Sequence, residues 1–285
     1  MSTLKIALQK FGKLNEDSLS FLKKCGLSIE SGNGQLKARV KNFPLEILFL
    51  KNSDIPQYLM DGIVDLAIIG QNLLFEKGFP IETLMPLGFS KCRVAVAVPN
   101  TFSFNTIADL NGLRIATSYP EITNNYFKSQ NIAIKLHRIS GSVEIAPDIG
   151  LADAIVDVVS SGNTLAKNNL KEVAVILESE AVLAVSPKIK PDNKVIMDRF
   201  LFRLESVLRA SQFKSLLMNV PNDKIQEISK ILPVLKSFTI VPLNLEGWSS
   251  LQMVISETAF WDVIDKLKAN GAQDIQVCPI EKIVL

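Results

Sequence analysis

The chain has 285 residues, 47% of them hydrophobic and 21% charged, with a formal net charge of +2. It can bury a sizeable core, and its length suggests about two or three structural units. The near-neutral charge argues against nucleic acid as a main partner. No stretch approaches the roughly 18 apolar residues of a membrane span. The leading residues MSTLKIALQKFGK contain no apolar leader core, so a cytoplasmic location without a membrane partner is expected. Cys25, Cys92 and Cys278 are odd in number, widely spaced and without histidine neighbours. They read as small core hydrophobes rather than a disulfide framework or zinc site. His137 is the only histidine, which removes Ser-His-Asp and two-histidine metal chemistry and leaves His137 a structural residue.

Leu4–Gln9 alternates toward a first strand, followed by the basic, glycine-containing turn Lys10-Phe11-Gly12-Lys13. Asn15 to Ser18 open a helix that runs to about Lys24, with acids in its first turn and Gly26 as a stop. Lys10 and Lys13 near a helix start could neutralise a polyphosphate; solvated surface lysines are the alternative reading. Pro44–Leu50 is a second strand, and Lys51-Asn52-Ser53-Asp54 caps a helix over Ile55–Asp61. Val64–Ile69 is a continuous apolar strand ending at Gly70-Gln71-Asn72. Arg93–Val98 is a strand, Pro99–Leu110 a connector, Leu113–Thr117 a strand, Ile122–Ser129 a helix and Ile132–Ile139 a strand.

Ala154–Val159 (AIVDVV) is a short β-branched run that reads as a buried parallel strand. It ends in Ser160-Ser161-Gly162-Asn163-Thr164, with a helix expected over Thr164–Asn169 and a strand over Lys171–Glu178. A strand-to-helix turn presents backbone N–H donors that suit a phosphate. Gly162 permits close backbone approach, and the hydroxyls add donors. Asp157, just before the turn, can accept from sugar hydroxyls. Together these describe a pentose phosphate, against the plainer alternative of an ordinary capped βα loop. The alternation of strand and helix from Leu4 to Glu178 predicts parallel sheets covered on both faces. Ligands in such sheets bind at the strands' carboxyl ends, where the turns after Gln9, Leu50, Ile69, Thr117 and Val159 converge.

Ala181–Val185 is a further strand and Asp192–Ala210 a long amphipathic connecting helix. The order then changes: strand Phe213–Val220, helix Asn222–Leu232, strands Ser237–Pro242 and Ser249–Ser256, helix Thr258–Asn270, strand Asp274–Cys278. This βαββαβ order predicts a ferredoxin-like domain. It carries no acid/base constellation, which points to regulation or assembly; Trp248 and Trp261 read as packing residues.

Five motifs in order carry a resemblance: IALQKFGKL (Ile6–Leu14), MDGIVDLAIIGQNLL (Met60–Leu74), LRIATSYP (Leu113–Pro120), Gly141–Leu170, and SETAFWDVIDKLKANGAQDIQVCPIEKI (Ser256–Ile283). In these the chain resembles the ATP phosphoribosyltransferase family in its long form. The resemblance implies an enzyme that joins ATP, through adenine N1, to 5-phosphoribosyl 1-pyrophosphate and releases pyrophosphate, with Mg2+ as cofactor, as the first step of histidine biosynthesis. It implies an α/β fold with two periplasmic-binding-protein-like lobes, lobe I at 1–98 with 179–211 and lobe II at 99–178. A ferredoxin-like (ACT-like) regulatory domain at 212–285 would bind histidine as inhibitor, in a homo-oligomer of dimers assembling to hexamers.

By that resemblance the phosphoribosyl-pyrophosphate site comprises Asp157, Val158, Val159, Ser160, Ser161, Gly162, Asn163, Thr164 and Leu165, with Glu144 and Asp153 also facing the ribose. Gln9, Lys13, Lys51, Gly70 and Tyr119 are expected to contact ATP, and Lys10, Lys13 and Asp157 to carry the catalysis. Walls for histidine are expected near Thr239, Ser249, Leu251 and Thr258. SSGNT stands where the family often has STGxT, and Lys13 where arginine is common, making a point charge of a fork. Two other functions are weighed: a two-lobed phosphometabolite-binding protein without catalysis, and a phosphoribosyltransferase acting on another base.

Overall fold

The computed structural model describes residues 2–30, 36–232 and 238–284. They form two compact units, Met1–Lys23 with Leu27–Met197, and Lys24–Gly26 with Asp198–Leu285.

In the first unit, β1 (Leu4–Gln9), α1 (Lys13–Lys24), β2 (Lys37–Arg39), β3 (Leu45–Leu50), α2 (Ile55–Met60), β4 (Leu66–Gly70), α3 (Gln71–Lys77) and β5 (Glu82–Pro86) come first. Then follow β6 (Cys92–Pro99), β7 (Arg114–Thr117), α4 (Pro120–Ser129), β8 (Lys135–Arg138), β9 (Ala154–Val159), α5 (Asn163–Lys167), β10 (Leu170–Ser179), β11 (Ala181–Val185) and α6 (Pro191–Ala210). The six-stranded sheet has the order β2-β3-β1-β4-β11-β5, and the five-stranded sheet the order β10-β6-β9-β7-β8. Read from β3 and from β8, the two share one plan: three parallel strands, then an antiparallel strand entered by crossover, then an edge strand. That repeated plan is the periplasmic-binding-protein-like pair of lobes expected from the sequence.

The expectation of wholly parallel sheets is corrected. β11 runs antiparallel between β4 and β5, and β9 is parallel to β7 but antiparallel to β6. The chain leaves one sheet for the other and returns, and a returning strand enters reversed. The same pairing puts Cys92–Val98, expected in lobe I, into the second sheet as β6. β2 and β5 had no sequence signal because β2 has three residues and β5 (ETLMP) is largely exposed.

Two-faced burial explains the apolar strands. β4 (LAIIG) is buried at its first four positions, and α2 packs Ile55 and Leu59 against Ala7, Ala67 and Ile69. In β6 the periodicity of two sorts residues by face: Val94, Val96 and Val98 meet Phe127 of α4, while Ala95 and Ala97 join the cluster holding Leu165 of α5.

The second unit contains the later turns of α6, β12 (Phe213–Pro221), α7 (Ile225–Ile231), β13 (Thr239–Pro242), β14 (Trp248–Ser256), α8 (Glu257–Ala269) and β15 (Gln273–Pro279). The sheet order β13-β14-β12-β15, all antiparallel, is the ferredoxin-like arrangement. Ser237, the expected start of β13, lies outside the described residues. Leu216, Met218, Leu251, Met253 and Ile255 form the covered face with Phe260, Val263 and Leu267 of α8. The Ser256 hydroxyl accepts from the Ala259 amide and caps α8. Two packing expectations fail: Trp261 is 67% exposed, and of the three cysteines only Cys25 is buried, Cys278 lying exposed on β15. Burial pushes the Cys25 thiol up to about 12, which keeps it protonated and inert.

Candidate active site

β9 ends in an exposed bend. Ser160, Ser161, Asn163 and Thr164 face solvent, and Gly162 turns the chain with φ 79°. A Cβ there would meet nothing within 4 Å, so the space above the bend is open to a ligand. Only glycine occupies this backbone region without cost. α5 begins at Asn163, earlier than the Thr164 expected, and spans 5 residues, so the hydroxyls and the bend itself carry most of the anion-binding capacity. Val159 and Leu165, at either end, are buried in the sheet's core; they anchor the bend and can offer a ligand only backbone. Val158 is half-buried, and its amide donates to the Asp157 carboxylate at 2.8 Å.

Asp157 is the chemically unusual residue. Burial, with the Glu144 carboxylate nearby, raises its carboxyl from an ordinary 3.8 to about 6, against the lowering effect of the Val158 amide. Glu144, in the turn Val143–Ile145, therefore shares the neighbourhood expected of it. Asp153 does not. It accepts from the Arg114 backbone amide at 2.9 Å, from Nε at 3.1 Å and from Nη2 at 2.7 Å. Arg114 begins β7, parallel to β9, so this pair closes the strands' amino ends. The length of β9, about 20 Å, separates it from the bend. Asp153 is removed from the ribose contacts.

Tyr119 caps α4 and stands close enough to Asp157 to feel its charge. Its phenol is held by a hydrogen bond with the Asn72 side chain, and burial raises its pKa far above the ordinary value. Asn72 is buried at the start of α3, with its backbone amide donating to Ser179 Oγ at 3.0 Å and its Oδ1 accepting from the same hydroxyl at 3.1 Å. Glu76, one turn along α3, accepts from the amides of Glu121 (3.1 and 3.2 Å) and Ile122 (3.1 Å) in the first turn of α4. α3 follows the first sheet and α4 the second, so these contacts tie the lobes beside Tyr119. Gly70 is explained by the same network, since a Cβ there would lie 2.5 Å from Asn72 Oδ1.

At the carboxyl ends of β1 and β3 the cations sit more loosely. Lys10 places Nζ 4.9 Å from the centre of the exposed Phe11 ring. Gln9 turns back to donate to the Phe11 carbonyl at 2.5 Å, under Gly12 at φ 90°. Lys13 is the first residue of α1, exposed and paired with Asp17 at 2.7 Å, which raises its pKa. Lys51 is exposed beyond β3. Beside it the Asn52 Oδ1 is buried with no hydrogen-bond partner, the only such side-chain atom among the described residues. Asn52, Asn72 and Glu76 were missed because a single amide or acid at the start or edge of a helix has no distinguishing sequence signal.

The residues expected to wall a histidine pocket do not converge. Leu251 is fully buried in the second unit's core, Ser249 is buried with its hydroxyl donating to Asn222 Oδ1 at 2.7 Å, and Thr239 lies exposed on β13. Thr258 lies beyond the other end of β14 from Ser249, in α8. Leu251 and Ser249 are thus packing residues.

Two lobes with exposed lysines on one, a hydroxyl-rich glycine bend and a half-buried acid on the other, and no histidine pair suit a group-transfer enzyme for anionic substrates, and comparisons with known proteins make it a pentosyltransferase. The family description "ATP phosphoribosyltransferase" matches residues 51–206, and "HisG, C-terminal domain" matches residues 210–282. The ATP phosphoribosyltransferase of Cytophaga hutchinsonii is 49% identical over 285 residues, covering 100% of both chains. That of Bacteroides fragilis is 44% identical over 282 residues, covering 99% of this chain and 100% of its own. A solved structure, the ATP phosphoribosyl transferase (HisG:HisZ) complex from Thermotoga maritima, aligns with TM-score 0.63 and 28% identity, covering 73% of this chain and 99% of that one. The chain belongs to the ATP phosphoribosyltransferase family, the pentosyltransferases of histidine biosynthesis, in the form that carries the C-terminal domain.

Proposed function

We propose that the bend Ser160–Thr164 holds the 5-phosphate of phosphoribosyl pyrophosphate while Asp157, with Glu144 beside it, accepts hydrogen bonds from the ribose hydroxyls. The observation that carries this reading is a half-buried carboxyl, raised to about 6, at the foot of an exposed bend at the carboxyl end of β9. Adenine N1 of ATP attacks C1 of the sugar as the C1–O bond to pyrophosphate breaks, and both electrons of that bond leave with pyrophosphate. N1 carries a lone pair and needs no strong base. The barrier lies in charge on the leaving group, which Lys10 and Lys13 offset, with Lys51 on the ATP phosphates. Tyr119 and the backbone at Gly70 border the nucleotide. Gln9 serves by shaping the lysine turn.

Magnesium is expected with the phosphorylated substrates. Among the described residues no group of three or more His, Cys, Asp or Glu converges to hold a metal, and the ion is expected to arrive on the substrate phosphates. Histidine, as feedback inhibitor, acts through the ferredoxin-like unit. The Thermotoga structure is a two-component complex; residues 210–282 make this chain a self-contained homo-oligomer, dimers assembling to hexamers. Among the described residues no helix is long and apolar enough to cross a membrane, and the enzyme works in the cytoplasm.

The test is to incubate the chain with ATP, phosphoribosyl pyrophosphate and Mg2+, following pyrophosphate release and an N1-substituted product by mass spectrometry. Gly162→Val should abolish turnover while the lobe cores stay folded, because a β-branched residue at φ 79° strains the bend and also brings bulk into the open space above it. Binding without pyrophosphate release would favour a non-catalytic receptor, and unchanged kinetics of Gly162→Val would remove the bend from the site.

A further inference from the structure

Arg93 is the second residue of β6, paired in register with Val159, the last residue of β9 before the bend. Its guanidinium makes three directed contacts. Nε donates to Glu172 Oε1 at 2.7 Å and Nη2 to Glu172 Oε2 at 2.7 Å, a two-pronged fork across to β10. Nη1 donates to the backbone carbonyl of Ser160 at 3.1 Å. The Glu172 carboxylate raises the pKa of Arg93, which stays charged throughout. Arg93 and Glu172 side chains are 29% and 24% exposed, sheltered enough for the fork to hold one geometry.

Ser160 is the first residue of the exposed bend, and turning its carbonyl toward Arg93 sets the direction of the peptide that follows. Flexible hydroxyls bind an anion well only when the backbone carrying them is already placed, since ordering it on binding costs affinity. We infer that Arg93 is a positioning residue for the sugar-phosphate bend, held in aim by Glu172 and acting through the Ser160 carbonyl without touching substrate. A lysine at this position supplies a point charge and no fork, so it restores the aim only in part.

This inference rests on the reading of Ser160–Thr164 as the phosphate site, and the experiment separates the two. Steady-state kinetics of Arg93→Met, Arg93→Lys and Glu172→Gln are measured with each substrate varied in turn, beside Gly162→Val and with thermal unfolding of every variant. In Arg93→Met the KM for phosphoribosyl pyrophosphate should rise about tenfold, as expected for loss of one charge-assisted contact, with KM for ATP within about twofold of wild type. Arg93→Lys should fall between, and Glu172→Gln, which leaves the arginine but weakens its fork, should raise the same KM alone. A purely structural role would lower the melting temperature or active fraction with both KM values unchanged, and that result overturns the inference. If Gly162→Val binds the sugar phosphate normally, the site reading fails; if it does not, and the Arg93 and Glu172 variants keep wild-type KM values, only the positioning role fails. Should Arg93→Met not fold, Glu172→Gln and Arg93→Lys decide the matter by the same comparison.

Discussion

Asp157 is a half-buried carboxyl through which stability and the proposed sugar binding respond to the same proton. Its folded-state pKa, about 6, lies above the ordinary 3.8, so the folded protein binds this proton more tightly than the unfolded chain. The stability it contributes is complete below about pH 4 and is lost as pH rises through about 6. At pH 8 the chain therefore carries an ionised carboxylate at a cost of up to about 3 kcal/mol, taking about 1.4 kcal/mol per unit. Asp157→Asn should raise the thermal midpoint at pH 8 and leave it near wild type at pH 4, measured by calorimetry at both values. Turnover should move the other way: the ionised form accepts through both oxygens with full charge, whereas protonation turns one oxygen into a donor and weakens the other as an acceptor. The wild-type KM for the sugar substrate should fall as pH rises through about 6, and the Asn variant should have a weaker, pH-flat KM. A stability gain equal at both pH values would show that Asp157 is not the titrating group.

At the scale of elements, the informative contact is that of α3 with α4. Glu76 places a carboxylate on the first-turn amides of α4, where backbone donors lack helical partners and the helix dipole favours negative charge. Burial raises the Glu76 pKa despite these two amides, so the group is held for its position. Because α3 starts at the end of β4 and α4 just after Tyr119, this tie sets the spacing of the lobes beside the proposed nucleotide site. Glu76→Gln keeps an acceptor but removes the charge. It should lower kcat/KM for both substrates by about three- to tenfold, consistent with losing about 1 kcal/mol of charge-assisted bonding. Unfolding should be little affected, since both lobe cores are untouched. Wild-type constants for both substrates would show that another contact fixes the lobes. The Asn72–Ser179 pair belongs to the same junction and accounts for the glycine at Gly70, which the family resemblance offered as an ATP contact.

At the scale of the molecule, the ferredoxin-like unit has its own core and exposes Ile240, Val241, Leu245, Trp261 and Val277, apolar residues suited to assembly. A chain ending at Ala210 should retain both α/β sheets, form smaller assemblies, and lose inhibition by histidine. Light scattering after size exclusion and a histidine titration of turnover check this; inhibition surviving the truncation would place the effector among residues 1–210.

The order of strands and helices, the hydroxyl-rich bend after β9, the lysines after β1 and β3, and the βαββαβ tail were legible in the amino-acid sequence. Each is a local signal: apolar periodicity, a glycine where the chain reverses, polar residues between apolar runs. Three things were decided only by tertiary structure. Strand direction was one, because an isolated apolar run such as AVLAV does not say which neighbour it will meet or from which side. The fate of individual charges was another: Asp153, just before β9, and Asp157, within it, lie four positions apart, yet one pairs with Arg114 at the strand's amino end and the other stands half-buried beside the bend. The third was the supporting shell of Arg93, Glu172, Asn72 and Glu76, whose partners are 45 to 107 residues distant in the chain. A side chain's partner across such a separation is set by the packing of whole sheets, and no local pattern of residues encodes it.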